Sequence, residues 1–472
     1  MSARSKTVSE EVPGEHAEVV SLYERWRKIQ SLWVSGPFQT ARRASLVLLL
    51  VVFYVGPWLT WNGGPAIWLD VPERKFIIFG ATFWPQEFVL LSMLLIIAAF
   101  ALFVFTVVAG RLWCGFGCPQ TVWTLCYVWL EKLIEGDRSQ RIRLDRSRWS
   151  VSKLRKKLLK FTLWTLLALS ISVTCVGYFT PIRDLALGIA ALDLGSWEQF
   201  FILFIAGVSF LMNGVLREQV CLHMCPYARF QSVMFDHDTM IVSYDAERGD
   251  PRGSRPRGSD PGERGLGSCV DCRLCVHACP TGIDIRDGLQ YECISCAACV
   301  DACNGIMGKM GYEANLIRFS SQHQDDHQRT VRLRPRLVGY AGVLITMIVA
   351  FTWVIGARVP LELDVIRDRN RLYREHWDGT VENVYTLRIM NMEQRDRVYR
   401  VRWNADIETR LSGKELIEVP AGQQRSLPFS LFASESEGGA ANIDVRFTIE
   451  TVEEPNFSVT EVSRFLRPER SG

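Results

Sequence analysis

The chain has 472 residues, 48% of them hydrophobic, with 54 Lys and Arg against 51 Asp and Glu. That length excludes a single ordinary core and predicts two to four domains. The net charge of +3 says little about partners, because the charges are sharply partitioned along the chain.

Five windows carry no charge and are long enough, or nearly so, to cross a bilayer: 44–61, 88–109, 161–180, 199–216 and 337–357. The fold class expected is therefore a multi-domain membrane protein with an α-helical transmembrane bundle of about five spans. Lys and Arg number seven before the first span, two in 62–87, twelve in 111–160 and one in 181–198. By the positive-inside rule, the N-terminus and the 111–160 loop are cytoplasmic, whereas 62–87 and 181–198 are external. Residues 112–130 are also uncharged, but a crossing there would carry the basic run from Arg138 to Lys160 outside. Gly115, Gly117, Pro119 and Gln120 near its start favour an interfacial or partly inserted helix instead.

Residues 1–43 form a polar segment that becomes amphipathic. Trp26, Ile29, Leu32, Trp33 and Val34 recur at roughly helical spacing among Arg25, Arg27 and Lys28. That pattern suits a helix on the cytoplasmic leaflet, with a disordered tail as the alternative. Residues 44–235 hold spans 1 to 4 and two related motifs. Arg111-Leu112-Trp113-Cys114 leads to Cys118-Pro119-Gln120 after the second span, and Arg217 leads to Cys221 and Cys225-Pro226-Tyr227 after the fourth. A hydrophobic hairpin followed by Cys-x3-Cys-Pro thus occurs twice, as in a parallel internal repeat. Soft thiolates favour Cu(I), so Cys114, Cys118, Cys221 and Cys225 are candidate metal and redox residues, with His223 and Met224 beside the second pair. Plain helix packing is the alternative for these four, and the better reading for Cys126 and Cys175.

Residues 236–268 are rich in Gly, Pro, Arg and Asp and read as a linker. The histidines at 237 and 277 read as solvated surface residues. Within 269–336 lie eight cysteines in two runs: Cys269-x2-Cys272-x2-Cys275-x3-Cys279-Pro280 and Cys293-x2-Cys296-x2-Cys299-x3-Cys303-Asn304. This is the spacing of a bacterial ferredoxin with two 4Fe-4S clusters. Structural zinc requires cysteine pairs, and a disulfide framework belongs to small secreted domains. In two-cluster ferredoxins the ligands cross over. Cys269, Cys272, Cys275 and Cys303 then serve one cluster, and Cys279, Cys293, Cys296 and Cys299 the other. The run Gly305 to Tyr312 reads as a closing turn. A reducing cytoplasm suits the clusters, in accord with the charge rule.

Span 5, 337–357, is followed by an external domain, 358–472, whose period changes to two. Tyr399, Val401 and Trp403 alternate with Arg400 and Arg402; Ile443, Val445, Phe447 and Ile449 alternate with polar residues. About seven such runs predict an immunoglobulin-like β-sandwich. Met390 and Met392 fall on one face, as core packing or, less favoured, as a copper-binding patch.

The order of these parts resembles the CcoG family, also called FixG or RdxA, of cytochrome c oxidase accessory proteins. The resemblance rests on Trp113 to Gln120, Cys221 to Tyr227 and the eight ferredoxin cysteines, and covers nearly the whole chain. It implies an oxidoreductase, a cupric reductase, with two 4Fe-4S clusters as cofactors and copper as substrate. It also implies a bacterial inner-membrane location. The expected partners are a cytoplasmic electron donor, copper chaperones or a transporter, the oxidase assembly machinery and the lipid bilayer. A homo-oligomer is compatible with the sequence and a nucleic-acid partner is not expected. Asn304 departs from the family's Cys-Pro, at a position that supplies shape and no ligand. The alternatives are a quinol- or reductase-linked membrane ferredoxin and a non-catalytic assembly scaffold. The sequence has no nucleotide-binding Gly-rich loop, flavin fingerprint or Cys-x2-Cys-His haem site.

Overall fold

The computed structural model describes residues 29–326, 334–369, 371–434, 442–453 and 457–468. Among them, five helices are long and apolar enough to cross a membrane: Pro37–Trp58, Phe88–Ala109, Val151–Val176, Ser196–Leu216 and Pro335–Gly356. They coincide with the five charge-free windows. Their lipid-facing residues stay exposed, as expected where hydrocarbon replaces water.

The first is α1 (Pro37–Val55), with Pro37 at its first turn, where a missing N–H is harmless. The second is α2 (Phe88–Ala109), which ends at Gly110 with a positive φ of 56°. The ambiguous 112–130 stretch is broken into α3 (Leu112–Phe116) and the 17-residue α4 (Pro119–Glu135), separated at Gly117 and Cys118. A short α5 (Arg138–Arg146) leads into α6 (Val151–Val176). Then follow α7 (Ile182–Ala191) and α8 (Ser196–Ser209), the latter continued by π-helical turns to Leu216, and finally α9 (Pro226–Met234).

α4 lies antiparallel along α6, and the contact is ionic as well as aromatic. Tyr127 meets Trp164 edge-on at 5.6 Å. Glu131, fully buried, faces Arg217 at 2.7 Å, Arg141 at 3.5 Å and Lys160 at 3.6 Å; Glu135 meets Lys157 and Lys160, both at 2.9 Å. The four cations come from α5, α6 and the end of the α8 segment, so two carboxylates on one helix tie three other segments together. The two hairpins of the apparent repeat are built differently. α6 packs on α8, whereas α2 packs on Pro335–Gly356, with Phe100 and Phe103 around Tyr340.

At one end of the bundle, residues 60–83 form small antiparallel sheets, where the charge pattern predicts only an external loop. The C-terminal domain sits at this end. One of its sheets orders the strands Thr409–Ser412, Gln424–Ser434, Thr380–Asn391 and Leu361–Arg367, with Arg374–Glu375 also paired to Thr380–Asn391. The other orders Leu416–Val419, Arg397–Ala405, Asn442–Thr451 and Ser458–Leu466. Alternating residues close the core between them, among them Tyr385, Leu387, Val401, Phe429, Phe447 and Phe465. Met390 and Met392 are both buried and pack against Trp84, which fixes the domain to the start of α2. They serve as packing, and Arg358 bridges the same junction by pairing with Glu87.

The ferredoxin occupies the opposite end. Three sequence readings need correction here. Residues 236–268 are not a free linker: Ile241–Tyr244 pairs with Ile317–Ser320, and Val242 enters the core beside Cys275 and Val300. This four-residue strand, interrupted by Ser243, is too short to stand out among its polar neighbours. Residues 305–310 are the second half of a helix, Ala298–Met310, and Gly311 ends it at φ 80°. Finally, residues 29–34 are not helical; they form an extended strap whose Leu32 N–H donates to His277 O at 2.7 Å. Trp33 of the strap lies under the cations of Arg43 and Lys132. Trp26 and the rest of the expected amphipathic segment lie outside the described residues.

Candidate functional site

Each cysteine run is folded by the same local device. Asp271 and Arg273 in the first run, and Ser295 and Ala297 in the second, all have φ between 50° and 55°. Left-handed backbone at two alternate non-glycine residues is costly and persists only where the surroundings impose it. It curls each Cys-x2-Cys-x2-Cys loop around a centre, and the short helix that follows, from Leu274 or from Ala298, starts at the second of the two kinks.

Two small cavities result. One is lined by Cys269, Cys272, Cys275 and Cys303, closed by Tyr244, Met307 and Leu316. The other is lined by Cys279, Cys293, Cys296 and Cys299, and also touches Cys275. Burial, reinforced by Cys296, Cys293 and Cys279, pushes the Cys299 thiol well above its ordinary value. Cys303 is likewise pushed up to about 12, by burial first and then by Cys275, Cys269 and Cys272. Crowded thiols of this kind hold protons until a metal's positive charge replaces them, so the donor set suits thiolate-ligated iron.

The two cavities are not equivalent. Cys272 is exposed, which opens the first to solvent. The second faces the bundle. Gly115, inside the first Cys-x3-Cys-Pro motif, lies so close to the ferredoxin that a Cβ there would meet Ile294 O at 2.7 Å and Cys296 Cα at 2.9 Å. Arg42 Nε donates to Gly115 O at 2.8 Å, and Gln39 Nε2 donates to Cys296 O at 3.1 Å. Asp301 accepts the N–H of Gln39 at 2.7 Å, anchoring the start of α1 on the ferredoxin helix. Arg111, buried, donates to Tyr291 O and Ala228 O.

The Cys-x3-Cys-Pro thiols are brought into one neighbourhood. Cys114 is pushed up to about 12 by burial and then by Cys118 and Cys225, against the opposing Arg111; Cys221 is pushed up to about 12 by burial and then by Cys118, Cys114 and Cys225. All four are half-buried. Cys114 Sγ also donates to Gln231 Oε1 at 3.3 Å. His223 and Met224 are exposed and do not share that burial. Among the described residues no three His, Cys, Asp or Glu side chains are close enough to share a single metal ion. His237 stacks on His323 at 5.4 Å on the ferredoxin flank and takes no part in the site.

Arg42 and Arg111 are the residues sequence reasoning missed. A signal existed for one of them, since Arg111 and Arg217 each close a span just ahead of a Cys-x3-Cys-Pro motif. Arg42 looked like one more basic residue before the first span.

Comparison with known proteins agrees with this architecture. Residues 216–322 match the 4Fe-4S dicluster domain family, and residues 351–468 match the Ig-like fold found at the C-terminus of FixG. The nitrogen fixation protein FixG of Rhizobium meliloti is 34% identical over 79% of this chain and 78% of its own length. Protein RdxA of Cereibacter sphaeroides is 36% identical over 86% of this chain and 88% of its own, and RdxB of the same organism 36% over 91% and 94%. A crystal structure of a FixG-related protein from Vibrio parahaemolyticus is 32% identical, covers 23% of this chain and 98% of its own, and has a TM-score of 0.22. With such identity over most of its length and a dicluster domain between apolar helices, the chain belongs to the FixG/RdxA family and is a membrane-bound iron–sulfur electron-transfer protein.

Proposed function

We propose that this protein reduces Cu(II) to Cu(I) for the assembly of cytochrome c oxidase, with the ferredoxin on the cytoplasmic side and the sandwich on the periplasmic side of the inner membrane. Cys269, Cys272, Cys275 and Cys303 hold the outer 4Fe-4S cluster, and Cys279, Cys293, Cys296 and Cys299 the inner one. When bound, such clusters supply single electrons. Exposed Cys272 marks the face that meets a cytoplasmic donor. The copper site lies among Cys114, Cys118, Cys221 and Cys225, whose soft thiolates favour Cu(I) over Cu(II) and so favour the reduction.

The observation that carries this reading is the contact of Gly115 with the Cys296 backbone, which sets the first thiol motif directly against the inner ligand loop. The copper assignment itself rests on ligand softness and on the family resemblance. Dithionite-reduced intact protein should be reoxidised by Cu(II), and Cys114→Ser with Cys118→Ser should abolish this while both cluster spectra persist. Cluster spectra that ignore Cu(II) would overturn the proposal.

One feature favours a second reading, a quinol-linked ferredoxin. A cavity of about 980 Å³ runs between α1, α4 and the ferredoxin, with apolar walls that include Leu46, Leu50, Val128 and Trp129, and with Gln120 and Cys221 among its polar lining. Such an amphipathic cavity fits a ring with a lipid tail. Rapid reoxidation by a quinone analogue, with no response to copper, would select this reading.

A further inference from the structure

The two cluster sites differ most in the charges around them. At the outer site Arg286 lies beside Cys275, but it is matched by Asp284 at 2.6 Å and Asp271 at 2.7 Å. Arg248, near Cys303, faces Glu313 at 3.5 Å. The inner site has two buried arginines of another kind. Arg42 is within electrostatic reach of Cys296 and Cys279, and its Nε is spent on Gly115 O. Arg111 is within reach of Cys293, and also of Cys114 and Cys225. Among the described residues neither has a carboxylate at ion-pair distance. The acids on this side include Glu292, which acts on Arg111 less than Cys114, Cys293 and Cys225 do, Glu218, which lines the same cavity as Arg42, and Asp301, which is occupied by the N–H groups of Phe38 and Gln39. Arg111 Nε is buried without a hydrogen-bond partner, so part of its charge is left unanswered.

Adding an electron makes a thiolate-bound cluster more negative. A buried, unmatched cation therefore favours the reduced state, and does so more strongly where solvent is excluded. Burial of the inner site works in the opposite sense, by penalising the more highly charged state. Two cations flanking one ligand set oppose that penalty, whereas the outer site has its cation already balanced.

We propose that Arg42 and Arg111 hold the cluster bound by Cys279, Cys293, Cys296 and Cys299 at a higher reduction potential than the cluster bound by Cys269, Cys272, Cys275 and Cys303. The electron then rests on the side nearest Cys114, and transfer toward the bundle is downhill. This rests on the ligand sets given under Proposed function, and it holds whether copper or a quinone is the acceptor. Arg42 and Arg111 are positioning residues in this scheme; neither is a ligand.

The test is a potentiometric titration of the intact protein in detergent, followed by electron paramagnetic resonance, with iron counted in every sample. Wild type should show two separated midpoints. Arg42→Met and Arg111→Met should each lower the upper midpoint and leave the lower one in place, while Arg42→Lys and Arg111→Lys should restore most of the shift. Asp284→Asn, which unbalances Arg286 beside Cys275, should raise the lower midpoint more than the upper one and narrow the gap. Midpoints that move together, or do not move in any of these variants at full iron content, would overturn the proposal. Wild type with less iron than two 4Fe-4S clusters require would instead overturn the ligand sets on which it rests.

Discussion

Replacing Gly115 by alanine tests the junction between the thiol motif and the ferredoxin most directly. The added methyl would sit 2.7 Å from Ile294 O, 2.9 Å from Cys296 Cα and 3.1 Å from Cys296 N, all backbone atoms of the inner ligand loop. Backbone held by two left-handed residues and a cluster cannot step aside as a side-chain tip would, so the two loops must separate. Overpacking of this kind costs about 1–3 kcal/mol. One or two kcal/mol is a factor of about 5–30 in population, here against the docked arrangement. Gly117→Ala is the control, because its methyl would meet the Trp113 ring at 2.7 Å, a side chain that can rotate. In stopped-flow reoxidation of reduced protein, Gly115→Ala should slow the oxidation by roughly the same 5–30-fold, with cluster iron retained and Gly117→Ala close to wild type. A Gly115→Ala protein that is reoxidised at the wild-type rate would refute the claim that electrons leave through this contact.

Other consequences follow from the same geometry. Glu131→Gln sets a neutral amide among Arg217, Arg141 and Lys160 and should destabilise the α4–α6 junction by about 3–5 kcal/mol, read as earlier thermal inactivation or faster proteolysis between α4 and α6. A variant as stable as wild type would show that the cations do not depend on that carboxylate. Asp301→Ala removes the acceptor of the Gln39 N–H and should cost about 1–3 kcal/mol, seen as faster hydrogen exchange over residues 36–40 while the sandwich is unaffected. In the sandwich, burial acts to raise the Glu393 carboxyl, but hydrogen bonds from Arg397 and Arg395 outweigh it and hold the group below its ordinary value of 4.5. Because the folded value is depressed, this stabilisation is complete above the unfolded value and is lost as pH falls through the folded one. Glu393→Gln should therefore weaken the domain near neutral pH and flatten its acid sensitivity; an acid unfolding profile parallel to wild type would contradict the pairing.

Periodicity and spacing carried much of the architecture. Charge-free windows are local in sequence, because a bilayer demands continuous apolar length, and all five became helices of spanning length. The eight cysteines were legible for a related reason: a loop that wraps a cubane draws three ligands from seven consecutive residues. Strand alternation revealed the sandwich, since each strand's core face is written every second residue. Ile241–Tyr244 escaped because its partner, Ile317–Ser320, is more than seventy residues away and nothing in a four-residue run announces it.

Residues close together in the chain thus specify the inventory: five spans, two cysteine runs, two thiol pairs and a sandwich. Folding in three dimensions sets which cysteine-lined cavity faces the bundle, brings both Cys-x3-Cys-Pro motifs into one neighbourhood, and buries Arg42 and Arg111 beside Cys279, Cys293 and Cys296 without a carboxylate at ion-pair distance among the described residues. These are relations between segments far apart in the chain, as from Arg42 to Cys296. An arginine reads alike in sequence whether it is solvated or buried. Its effect on a neighbouring charge depends on distance and on the water excluded between them, and folding alone sets both.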